Sequence, residues 1–129
     1  MPTSENSTTI GMVTVDCGDP VAQAEFWSEL LDGQVALATE EYSMVVWPET
    51  GHPALGFGHV ADYVPPQWPN PNGSKQFHLD IAATDIASAE KRALDLGARL
   101  ADPQPGETWR VLIDPAGHPF CICDATNFG

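Results

Sequence analysis

Apolar and polar positions along the chain fall into two similar runs of short elements. Gly11 to Asp16 is rich in β-branched residues and stops at Cys17-Gly18, which predicts a strand. Asp19 then supplies an N-cap and Pro20 a first helical position. Phe26, Trp27, Leu30 and Leu31 recur at helical spacing and form one apolar stripe. Gly33 is the expected stop of this helix, and strands are expected near 34–38, 42–47 and 54–60. The pattern then begins again. Phe77 to Ala82 reads as a strand, and Asp85 caps a helix whose Ile86, Ala89, Ala93 and Leu96 face one way. Gly97 ends that helix. Strands near 98–101, 108–113 and 119–124 follow, the last two joined by the turn Asp114-Pro115-Ala116-Gly117.

The two runs align at an offset of 66. Met12-Val13-Thr14-Val15 falls on His78-Leu79-Asp80-Ile81, and Asp19 falls on Asp85. Met44-Val45-Val46 falls on Arg110-Val111-Leu112, and Gly51-His52-Pro53 on Gly117-His118-Pro119. Modules of about 55 residues cannot bury both faces of their own sheets, so they must pack on each other or on a partner chain. Between them, residues 61–74 hold Pro65, Pro66, Pro69 and Pro71. That crossover is expected to be stiff and to hold Trp68 at a fixed place.

Composition narrows the function. Five Lys+Arg against eighteen Asp+Glu give a net charge of −13, which argues against nucleic acid and anionic membrane surfaces and suits neutral or cationic ligands. No apolar run approaches the roughly 20 residues that span a bilayer. The polar start, Met1 to Thr9, lacks the pattern of a secretion signal. Three cysteines do not make a disulfide framework, so a reducing cytoplasm is expected. Hydrophobic residues form 43% of the 129, enough for the core of one domain.

The paired strand-helix-three-strand plan, with His78-Leu79-Asp80 opening the second half and Asp114-Pro115-Ala116-Gly117-His118-Pro119-Phe120 near its end, resembles the vicinal oxygen chelate superfamily. It is most similar to glyoxalase-like, bleomycin-resistance-like members. The resemblance covers residues 10–125 and implies an α+β fold. Two βαβββ modules (10–60 and 75–125, with the crossover 61–74) would form a curved, cup-shaped mixed sheet within one domain spanning 1–129. It implies a ligand or metal inside the cup, and a homodimer. His78 stands where a first-strand metal ligand is expected, and Cys121 where a last-strand glutamate is expected. Met12, the first-module counterpart of His78, is a soft thioether and a poor ligand for hard ions. The first-module last strand offers only His59. With His78, and with Cys121 and His59 as doubtful additions, the metal site is expected to be incomplete, since a catalytic site needs about three ligands.

Strand alternation sorts the remaining candidates. His78 and Asp80 share a face, at a spacing of roughly 7 Å that predicts only weak contact. Trp109, Val111 and Ile113 share a face, opposite Arg110 and Leu112. Cys121 and Cys123 lie opposite Phe120 and Ile122, so if Cys121 lines the cup, Phe120 packs beneath the helices. Trp47, Trp68, Trp109 and Phe57 are candidate walls for a planar ligand, with His59, His78 and Arg110 as polar contacts. Arg110 is equally open to a surface ion pair, and Trp27 and Phe26 belong to the core. His52 and His118 sit in turns. No phosphate loop or nucleophile elbow is present. The leading expectation is a glyoxalase-like small-molecule binding protein, of a resistance or sequestering kind, with no cofactor. The alternative is a lyase or dioxygenase dependent on a divalent metal.

Overall fold

The computed structural model describes residues 8–68, 77–106 and 108–128. Eight strands and two helices follow in the order β1 (Met12–Cys17), α1 (Pro20–Leu31), β2 (Gln34–Ala38), β3 (Tyr42–Val46), β4 (Ala54–His59), β5 (Leu79–Ala83), α2 (Ile86–Asp95), β6 (Arg99–Leu100), β7 (Trp109–Ile113) and β8 (Pro119–Asp124). A short 3-10 turn, Ala125–Phe128, closes the described chain. The strands make two mixed four-stranded sheets of identical topology, β1-β4-β3-β2 and β5-β8-β7-β6. In each, the first strand runs parallel to the last and the others are antiparallel. The expected βαβββ repeat is therefore present, as two separately hydrogen-bonded sheets. The crossover beyond Trp68 lies outside the described residues.

Local chemistry explains the helix ends. Asp19 accepts from Ala22 N at 3.2 Å, and Asp85 accepts from Ala87 N and Ser88 N at 3.1 and 3.3 Å. At the end of α1 the left-handed residue is Asp32, with φ 54°, rather than the expected Gly33. Gly33 is needed for another reason. A Cβ there would come within 2.6 Å of Val45 Cγ1 and 2.8 Å of the Trp47 ring.

A continuous core joins both halves on the helix side of the sheets: Cys17, Phe26, Trp27, Val45, Leu55 and Phe57 from the first, Ala93, Leu112, Phe120 and Ile122 from the second. Phe26, Trp27 and Phe120 stack edge to face with centroids 4.9 to 6.0 Å apart. Asp114, in the turn before β8, accepts from Gln23 Nε2 at 2.9 Å and Trp27 Nε1 at 3.1 Å, tying α1 to the second sheet. A second stitch centres on His118. Its Nε2 lies 3.0 Å from the Tyr63 hydroxyl and 2.6 Å from Asp16 O, and Tyr63 donates to Ala116 O at 2.8 Å. Burial, then the nearby Asp114, push the Tyr63 phenol up to about 12.

The single offset of 66 needs correction strand by strand. It holds for β1 and β5, where Val13 and Leu79 pair with Leu55 and Phe120. The same pairs make Leu55 the counterpart of Phe120, an offset of 65, and Val45 the counterpart of Leu112, an offset of 67. A one-residue slip exchanges the faces of a strand. The first-module equivalents of Trp109, Val111, Cys121 and Cys123 are thus Tyr42, Met44, Gly56 and Gly58.

Candidate functional site

The face of the second sheet turned away from the helices carries the chemistry. His78 comes from just before β5 and Asp80 from its start, Trp109 and Val111 from β7, and Cys121 and Cys123 from β8. Trp68 of the crossover, Pro105, and Asn127 and Phe128 of the last turn complete a pocket of about 330 Å³. Beneath it, Ala101, Val111, Ile113 and Cys121 form a small apolar cluster of their own, with Trp68 and Cys123 packed against it. Trp109 stands where it does because Gly106 has no side chain: a Cβ there would meet the indole at 2.7 Å.

His78 Nε2 lies 3.1 Å from Asp80 Oδ1. A carboxylate only accepts, so Nε2 is the donor and carries a proton. The spacing along a strand alone predicts only weak contact here. His78 precedes β5, outside the hydrogen-bonded ladder, and its long side chain leans along the strand to reach the carboxylate. Cys123 Sγ lies 4.0 Å from the same Oδ1. Burial, then the Asp80 charge, push the Cys123 thiol up, which keeps it protonated.

One donor atom each from His78, Asp80 and Cys121 lie within 4.8 Å of one another. Nitrogen, oxygen and sulfur donors together fit a borderline divalent ion such as zinc, and three protein ligands match an open catalytic site. Donors around such an ion stand roughly 3.3–3.8 Å apart, given bonds of about 2.0–2.3 Å, a spacing that falls within that 4.8 Å limit. The first sheet adds nothing at matching positions, where Met12, Gly56 and Gly58 stand.

Of the residues expected at the site, the structure brings together His78, Cys121, Trp68 and Trp109. The others lie elsewhere. Phe57 is fully buried under the helices. Trp47 donates from Nε1 to Leu31 O at 2.8 Å, at the end of α1. Arg110 faces α2, where its Nε meets Glu90 Oε1 at 2.6 Å. His59 is exposed at the end of β4, away from the pocket. Alternation alone already set Arg110 opposite Trp109. Phe57 shares a face of β4 with Leu55, so alternation sets both on the core side. Phe128 and Asn127 were missed, since a C-terminal turn carries no periodic signal.

Two stitched βαβββ modules, each with a sheet open on the side away from its helix, define the glyoxalase and bleomycin-resistance class of fold. The chain belongs to the glyoxalase-like domain family, whose model matches residues 12–123. A glyoxalase/bleomycin resistance protein/dioxygenase family enzyme from Burkholderia phytofirmans is similar in structure at 18% identity. That match covers 89% of this chain and 97% of the other, with a TM-score of 0.65. The trypanothione-dependent glyoxalase I of Leishmania major is similar at 15% identity over 95% of this chain and 90% of that one, also at 0.65. A glyoxalase-related enzyme from Fulvimarina pelagi is similar at 17% over 88% and 86%, at 0.63. At these identities the likeness establishes the fold. Among curated proteins, none matches the sequence significantly. Among the described residues, no helix is long and apolar enough to cross a membrane.

Proposed function

We propose that this protein binds a small organic molecule in the pocket of its second sheet, in the manner of a resistance or sequestering protein. The observation that carries this reading is the pocket itself: about 330 Å³, with two indoles and a phenyl ring as walls and the His78–Asp80 pair as its polar group. Such a mixture, mostly apolar with a few convergent polar groups, suits a planar ligand. A screen of small aromatic compounds by NMR should shift the indole N–H signals of Trp68 and Trp109. Those of Trp27 and Trp47, hydrogen-bonded to Asp114 and Leu31, should stay in place. A screen in which no compound moves the first two signals sinks the reading.

The second reading, a metal-dependent lyase or dioxygenase, is favoured by the His78, Asp80 and Cys121 group. A bound divalent ion there would supply a Lewis acid for a substrate oxygen. His78, Asp80 and Cys121 would hold it, while Trp68 and Trp109 would orient the substrate and exclude water. About one zinc retained per chain after dialysis, and lost in His78→Ala and in Cys121→Ser, would establish that reading over the first. A homodimer in a reducing cytoplasm belongs to the same proposal. Met12, Val13, Val35 and Leu37 on the edge strands β1 and β2 are each 40–45% exposed, a surface that a second copy would cover. Sedimentation at micromolar concentration should then give about twice 13.9 kDa.

A further inference from the structure

We infer that the pocket of the second sheet selects an organic cation, a quaternary or protonated amine on a flat apolar body; this rests on the pocket being a ligand site. Trp68, Trp109 and Phe128 present three aromatic rings, and the face of an indole is the best of the side-chain surfaces for attracting a cation. Asp80 is the one carboxylate among the described lining residues, and its side chain is 44% exposed. His78 Nε2 and Cys123 Sγ both lie on its Oδ1. The exposure of the side chain leaves the carboxylate open to pair with a ligand.

No described Lys or Arg lines the pocket. Lys91, Arg92 and Arg110 are turned to Asp95, Asp32 and Glu90. The chain as a whole carries −13, so its field gathers cations and repels anions. An apolar neutral ligand seated over Asp80 would strip water from the carboxylate and give nothing back, which is costly. An anion would add repulsion. A neutral N–H or O–H donor would replace that water but draw less from the ring faces, whereas a cation does both.

The test uses three probes of nearly one shape: phenyltrimethylammonium, its neutral isostere tert-butylbenzene, and benzenesulfonate. Binding is followed on the indole signals of Trp68 and Trp109. The cation should bind at least tenfold more tightly than tert-butylbenzene, with benzenesulfonate weakest. Asp80→Asn, checked for folding by its Trp27 indole signal, should weaken the cation at least fivefold and leave the neutral probe within twofold. Equal affinity for cation and isostere, or an Asp80→Asn protein that keeps the cation preference, overturns the inference while leaving a ligand site. Failure of all three probes to move either indole overturns the ligand site and the inference together.

Discussion

Replacing Asp114 by Ala tests whether the two halves are held by one buried carboxylate. Asp114 is 4% exposed and accepts four hydrogen bonds. Oδ1 takes Ala116 N and His118 N, both at 2.9 Å, and shapes the turn. Oδ2 takes Gln23 Nε2 and Trp27 Nε1 from α1. The two turn amides are only part-buried, and water replaces their partner in the variant. Gln23 and Trp27 are 1% and 2% exposed, so their donors would be left without one. Each such orphan costs about 1–3 kcal/mol, and we expect a loss of about 4 kcal/mol for the pair. Domains of this size have about 5–15 kcal/mol in all. With a slope of about 2 kcal/mol per molar, the urea midpoint should fall by about 2 M, followed by far-UV circular dichroism because Trp27 is itself perturbed. Trp27→Phe removes one orphan donor, so it should cost at least about 1 kcal/mol less in the Asp114→Ala background than in the parent protein. A loss below about 1 kcal/mol for Asp114→Ala, or strict additivity in the cycle, would refute this account of the junction.

Other perturbations follow from the same contacts. Gly106→Ala should push the Trp109 ring out of the pocket and weaken phenyltrimethylammonium at least threefold, at a stability cost of roughly 1 kcal/mol, because the ring can swing into solvent; unchanged affinity would mean that Trp109 is not a wall. Tyr63 has its pKa raised in the folded protein, so its contribution is fully present below the unfolded value near 10 and is lost as pH rises through about 12. Urea midpoints between pH 9 and 12 should therefore fall more steeply for the parent than for Tyr63→Phe, and parallel curves would contradict the assignment. Asp85, the cap of α2, has its pKa lowered by hydrogen bonds from Ser88, so its stabilisation is present above about pH 4 and is lost as pH falls through the lowered value. The gap in midpoint between the parent and Asp85→Ala should close in acid; a constant gap from pH 7 to pH 2 would exclude a charged cap.

The elements and their repetition are legible in the chain without the fold. Caps at Asp19 and Asp85, the apolar stripes of the helices and the turn from Asp114 to Gly117 are local signals, written in residues that touch their own neighbours in the chain. Alternation likewise decided that Cys121 and Phe120 face opposite ways. Tertiary structure decided what those faces meet. Phe57 and Trp109 look equally suitable for a ligand wall, yet one is sealed by α1 and the other stands free over Gly106. The offset of 66 aligned Val45 with Val111, while the sheets align it with Leu112, because register is set by pairing between strands and a shift of one residue inverts every side chain. The reach of His78 to Asp80, and the closing of the pocket by Trp68 and Phe128, depend on segments without periodicity. Their positions come from packing across the whole chain, which no local pattern encodes.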